Sequence, residues 1–137
     1  HAHYNVFISM KKMSEGDPGR AAAAALTFDH TKNVFVFDDD IDVYNATEIL
    51  WGLATRVQPH RQVSILKPLF RGNFLDPSLV DEIKTSGMII DATRPLDRPF
   101  SPVSKVPDEA MNRIKIEDFI PGEIVSHIPI DRTTYWS

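Results

Sequence analysis

Cysteine is absent from all 137 residues, which removes disulfide frameworks, thiol nucleophiles and cysteine-ligated zinc together. No apolar run approaches the roughly 20 residues that a membrane-spanning helix needs. The start, His1-Ala2-His3-Tyr4, lacks the charged-then-apolar pattern of a secretory signal. These absences lead us to expect a cytoplasmic protein with no membrane span. An excess of positive charge is also missing: 15 basic side chains face 19 acidic ones, for a formal charge of −4. No Lys/Arg stripe follows any predicted helix, so nucleic acid and anionic membranes are poor partners. The five histidines, His1, His3, His30, His60 and His127, never recur at the i, i+4 helical spacing that would aim two imidazoles at one metal. No Gly-x-Ser-x-Gly elbow anchors serine hydrolase chemistry. Gly16-x-x-Gly19 has neither the third spaced glycine nor the Gly-Lys-Ser/Thr of a phosphate loop.

What remains is an ordinary globular composition, 42% hydrophobic and 25% charged, at a length suited to one hydrophobic core. The first residue is not methionine, and a strand-like run follows almost at once. That beginning suits a piece of a longer protein, and equally the product of removing a short leader.

Tyr4-Asn5-Val6-Phe7-Ile8-Ser9 is aromatic and β-branched and reads as a first strand. Asp17-Pro18 looks like an N-cap with proline in the first turn, opening an alanine-rich helix through Leu26. Val34-Phe35-Val36-Phe37 is apolar without alternation, as expected of a strand covered on both faces. Asn45 and Glu48 have capping-box spacing before a helix that closes near Arg56. Gln62 to Leu66 and Gly87 to Asp91 are further strand candidates, with a short helix expected around Ser78 to Lys84. Strand and helix thus alternate, which predicts an α/β fold: a largely parallel or mixed sheet flanked by helices. Beyond Arg94, Pro95, Pro99, Pro102 and Pro107 break regular structure. A helical turn is expected near Asp108 to Ile114. We expect an α/β domain over residues 1–98 and an irregular Pro-rich extension over 99–137, docking on that domain or on a partner.

One local signal could carry chemistry. The apolar strand delivers Asp38, Asp39, Asp40 and Asp42 at its carboxyl end, the edge where open α/β sheets bind ligands. Asp38 and Asp40 could hold a divalent cation, or Asp38 could accept a phosphoryl group, in a metal-dependent transferase or phosphatase. Each chemistry needs partners that the sequence does not supply: only 33 residues precede Val34, too few for a nucleotide-binding half. The plainer reading makes the four acids solvated turn formers and a cap for the next helix. Acids so close repel unless exposed, screened or paired with cations.

Taken in order, the segments resemble the C-terminal domain of UbiD-type decarboxylases, the 3-octaprenyl-4-hydroxybenzoate carboxy-lyase family. The resemblance runs through Val6 to Lys12, Gly19-Arg20-Ala21-Ala22, Asn33 to Val43, and the tryptophan-containing Glu48 to Arg56 ending in Thr-Arg. It continues in Leu75-Asp76-Pro77-Ser78 and Ile90-Asp91-Ala92-Thr93-Arg94-Pro95, covering roughly residues 5 to 95. Gly52 departs from a familiar alanine, and Gln62 from an aspartate that often follows arginine.

That resemblance implies decarboxylation or carboxylation of an unsaturated or aromatic acid with prenylated FMN, a divalent cation and potassium. It also implies that the cofactor and the Glu-Arg-Glu constellation belong to a preceding flavin-binding domain or subunit. No cofactor and no catalytic residue is then expected on this chain, and Asp38 to Asp42 are structural. The implied role is to help form a homo-oligomer and to cover the active site; a separate noncatalytic assembly subunit is the alternative. Phe70, Phe74, Leu75 and Pro77, on a loop with a glycine pivot at Gly72, are the candidates for the substrate lid. Phe74 and Leu75 plugging the domain's own core is the competing reading. Phe119, Ile120, Tyr135 and Trp136 are candidates for a docking patch.

Overall fold

The computed structural model describes residues 4–28, 30–71, 76–79, 84–101, 107–113 and 118–119. The chain divides into two compact units, His1–Phe100 and Ser101–Ser137.

The first unit is built on a four-stranded mixed sheet in the order β1-β2-β4-β3. The strands are β1 (Asn5–Met10), β2 (Asn33–Asp38), β3 (Val63–Arg71) and β4 (Lys84–Ala92). β1, β2 and β4 run parallel, and β3 lies antiparallel on the outer side of β4. The helices α1 (Asp17–Ala25), α2 (Ala46–Arg56) and the one-turn α3 (Pro59–Gln62) connect them. The expected α/β fold with a mixed sheet and flanking helices is therefore what forms.

The alternation of side chains along each strand divides the core between two faces. Register places Val6 beside Val34 and Val34 beside Ile89 on one face. There Ala22 and Leu26 of the first helical segment pack on Val34 and Val36, with Ile8 and Met10 beside them. Alanine at Ala22 and Ala25 lets that helix lie close to the sheet, as its composition suggests. On the other face Phe37 and Ala92 meet Ile41, and the half-buried Ile49, Trp51 and Leu53 of α2 close over them. Phe7 and Phe35 continue this second face as a stacked pair with centroids 4.9 Å apart. Val34, Val36 and Phe37 are wholly buried, because β2 is an interior strand with a helix on either side. Its unbroken apolar run was the clearest sequence sign of that position.

Several boundaries differ from the sequence reading. Asp17 is the first helical residue rather than the cap, which is Gly16. Its carboxylate turns back to accept from the amides of Met13 and Ser14 at 2.9 and 2.8 Å. Asn45 does cap α2, accepting from Thr47 N at 3.0 Å. Its expected partner Glu48, however, accepts from Asp42 N at 2.8 Å instead of returning to Asn45. A short helix, α3, follows α2, and Gln62 ends it instead of opening β3. Residues 84–86 extend β4 below the expected start because β3 is there to pair with them. Ser78 lies in a turn and Lys84 in a strand, so neither end of the helix expected between them is helical; residues 80–83 lie outside the described residues.

In the second unit the expected helical turn is α4 (Asp108–Arg113), entered through Pro107, whose carbonyl accepts from Ala110 N at 2.9 Å.

Candidate functional site: a charged cluster at the carboxyl edge of the sheet

The three parallel strands end on one edge, and each delivers charged groups there. Asp38 is the last residue of β2, Lys12 follows β1 by two residues, and Arg94 follows β4 by two. Arg56, the last residue of α2, reaches the same point from above the sheet.

Arg56 is the centre of the cluster, with its side chain only 1% exposed. Its Nη1 donates to Asp38 Oδ2 and to Asp40 Oδ1, both at 2.9 Å. Its Nη2 donates to Asp40 Oδ2 at 2.8 Å, so Asp40 is gripped by both arms of the fork. Charge-assisted, bidentate bonds of this kind are among the stronger ones proteins make. The guanidinium also lies over the Trp51 ring, 5.2 Å from its centroid. Its Nε is buried without a partner.

Arg94 completes the arrangement. Its backbone N–H donates to Asp38 Oδ2 at 2.8 Å and its Nε to the same oxygen at 3.3 Å. Its Nη1 lies 3.5 Å from Asp40 Oδ2. Asp91 sets up this approach: its Oδ1 accepts from Thr93 N and Oγ1, bending the chain as it leaves β4. The hydrogen bonds from Arg56, followed by the charges of Arg56 and Arg94, hold the Asp40 carboxyl below its ordinary range.

The four neighbouring acids thus divide by environment. Asp38 is buried and paired, not the solvated turn former that the plainer sequence reading described. Asp40 is partly exposed and paired, Asp39 is exposed, and Asp42 holds the turn before α2 by accepting from Tyr44 N at 2.9 Å. The repulsion that makes such a run unfavourable is relieved by two arginines distant in sequence. Sequence reasoning had noted that cations could relieve it but did not assign Arg56 and Arg94 to the task. The Thr-Arg that ends α2 and the Asp-Ala-Thr-Arg that ends β4 were the available signals.

A smaller cluster sits on the opposite, amino edge. Lys32, just before β2, donates to Asp76 Oδ2 at 2.8 Å and Ser78 Oγ at 2.7 Å. Asp76 also accepts from Ser78 N and Oγ. The Lys32 bond, then those from Ser78, pull the Asp76 carboxyl down to about 2. Of the lid candidates, Phe70 and Pro77 lie toward this edge. Pro77 is exposed in the turn held by Asp76. Phe70 is in β3, opposite Thr85. Phe74 and Leu75 lie outside the described residues, as do Ile120, Tyr135 and Trp136; Phe119 is exposed.

Among the described residues, the first strand-to-helix turn is not a free phosphate cradle. At the first strand-to-helix turn, where Gly16 and Gly19 stand, the Asp17 carboxylate already occupies the amides of Met13 and Ser14. A phosphate there would have to displace a carboxylate and face its charge. Among the described residues, no group of three or more His, Cys, Asp or Glu is arranged to hold a metal ion, and no helix is long and apolar enough to cross a membrane.

Residues 1–92 match the family described as the 3-octaprenyl-4-hydroxybenzoate carboxy-lyase C-terminal domain. The chain belongs to this UbiD family. It is 39% identical over 97 residues to an anhydromevalonate phosphate decarboxylase of Archaeoglobus fulgidus, covering 70% of this chain and 22% of that protein. Among solved structures, the UbiD-class enzyme HmfF from Pelotomaculum thermopropionicum in complex with FMN superposes with a TM-score of 0.67 at 34% identity, covering 84% of this chain and 26% of that one. The vanillic acid decarboxylase of Sedimentibacter hydroxybenzoicus in its closed form gives 0.64 at 30% identity, covering 77% of this chain and 24% of that one. The chain therefore spans about a quarter of the length of the UbiD-class proteins it matches.

Proposed function

We propose that this chain is the C-terminal oligomerisation and active-site-covering domain of a UbiD-like decarboxylase or carboxylase of aromatic or unsaturated acids. Catalysis in the whole enzyme would use prenylated FMN with a divalent cation and potassium, held by a preceding flavin-binding domain or subunit. The observation that carries this reading is the family match over residues 1–92, taken with the fraction of each relative that the chain represents. One relative, HmfF, is described in complex with FMN and, in an evolved dimeric form, with prFMN, which supports flavin use by the complete protein. In this reading the protein is cytoplasmic, residues 1–98 form the family domain, and 99–137 dock on it or on a partner.

Such a domain needs rigidity rather than reactive groups at its carboxyl edge. The pairing of Asp38 and Asp40 with Arg56 and Arg94 fits that need. The lid role falls to the segment with Phe70, Phe74, Leu75 and Pro77, and the Lys32–Asp76 bond supplies an anchor for it. A divalent-metal transferase or phosphatase on Asp38 and Asp40 is less well supported, because a metal would first have to displace two guanidinium groups.

Titrating the chain with prenylated FMN and Mn²⁺ tests the proposal. We expect no saturable flavin binding at micromolar concentration and no carbon dioxide from cinnamate- or benzoate-type acids; either result would overturn the noncatalytic assignment. Stoichiometric Mn²⁺ binding that Asp38→Asn abolishes would favour the metal-dependent reading. Light scattering should find dimers or higher oligomers. A strict monomer in which Phe74→Ser with Leu75→Ser unfolds the domain would make those residues core and withdraw the lid.

A further inference from the structure

Between the end of β4 and Ser101 the chain has no regular secondary structure, and Leu96 to Pro99 are exposed. What holds its beginning is a set of side chains from two other loops. Lys12 Nζ, on a side chain only 3% exposed, donates to Arg94 O at 3.0 Å and pairs with Glu15. Glu15 Oε1 in turn accepts from Leu96 N at 2.6 Å. Asp38 takes the Arg94 N–H from the other side. The backbone of Arg94 is thus bonded at both its N–H and its C=O by charged side chains 56 and 82 residues away in sequence, and the next amide but one is held by Glu15.

We propose that Lys12 and Glu15 form a clip on the strap from Arg94 to Leu96, and that this strap opens as a unit of its own while the sheet stays folded. The physical basis is the contrast in what holds each part. β2 is hydrogen-bonded on both sides and its apolar side chains are wholly buried, so its amides are exposed only by disruption of the sheet. The strap lacks ladder bonds, and its outer bond ends on a carboxylate whose side chain is 56% exposed. Releasing Glu15 frees Leu96 without uncovering any of the buried apolar residues, while Lys12 keeps its bond to Arg94 O.

Amide hydrogen exchange on the full chain tests this, with Val34 and Val36 reporting the sheet. In the native protein Leu96 should exchange faster than either valine, with little dependence on low urea. Glu15→Ala removes the Leu96 acceptor and also the carboxylate paired with the buried Lys12, so the ratio of Leu96 to Val36 exchange is the measure, and it should rise roughly tenfold or more. Lys12→Met should free Arg94 as well. Because Lys12 is buried and its loss could weaken the whole unit, the same ratio is the measure for that variant. The inference is overturned if the ratio is unaffected by Glu15→Ala, or if Leu96 and Val36 share one rate and one urea dependence throughout.

Discussion

The two edges of the sheet are both tied by charged groups, yet in different ways. At the carboxyl edge two aspartates and two arginines share one junction in which Asp38 and Arg56 are buried and Asp40 and Arg94 partly exposed, and the Lys12–Glu15 pair braces it. At the amino edge one half-exposed lysine tethers a turn through a single carboxylate and a serine. A buried pair makes each member dependent on the other, because a charge left without its partner remains desolvated. At the amino edge Asp76 is as enclosed as Asp38, but Lys32 is partly exposed, so water can solvate the ammonium when the bond is lost. The edges should therefore respond unequally to the same kind of substitution.

Arg56→Ala is the most damaging change we expect. It takes from the buried Asp38 its buried partner, leaving Arg94 alone to hold it, and should cost about 3–5 kcal/mol of unfolding free energy, read from urea denaturation. Arg56→Met with Asp38→Leu should cost much less, since replacing both partners leaves no unpaired charge. If the double variant is as unstable as the single one, the cluster matters for shape rather than charge.

At the amino edge the expected effect is a dependence on acid. Asp76 has a folded-state pKa of about 2, below the roughly 3.9 of an unfolded chain. Its contribution is thus fully present above about pH 4 and is lost as pH falls toward 2. Asp76→Asn should flatten this part of the stability curve between pH 4 and 2, measured as the urea midpoint at each pH, while hardly altering its shape above pH 5. Asp40, also depressed, adds acid sensitivity of the same sign, which the Asp76 variant would retain.

Gly52→Ala probes the packing beneath Arg56. An added Cβ would lie 3.1 Å from Cε1 of the buried Phe37 ring. The gain in helix propensity and the crowding oppose each other, so we expect a net change below about 1 kcal/mol. A loss of several kcal/mol would show that Phe37 cannot shift. Least of all should Asp39→Asn matter: Asp39 is exposed and outside the cluster, and we expect a change within about 0.5 kcal/mol. Equal losses from Asp38→Asn and Asp39→Asn would erase the distinction between paired and solvated acids.

Much of this was legible in local sequence, for identifiable reasons. Val34-Phe35-Val36-Phe37 reads as an interior strand because covering both faces removes the polar alternation that an exposed face demands. The alanine run and Asn45 act within one or two turns of chain, so their helices could be placed nearly correctly. The family resemblance rested on the same contiguous segments, and residues 1–92 do match that family. Local pattern was weaker wherever a partner decided the outcome. β4 begins at Lys84 only because β3 lies beside it, and Glu48 turns to Asp42 rather than Asn45 because the chain brings that amide within reach. The acid run marked an edge of the sheet from sequence alone. Which acid is buried, which is solvated and which arginines neutralise them depended on bringing together residues 18 and 56 positions apart. Ion pairing is set by distance and desolvation in space, and neither quantity is encoded in the order of neighbouring residues.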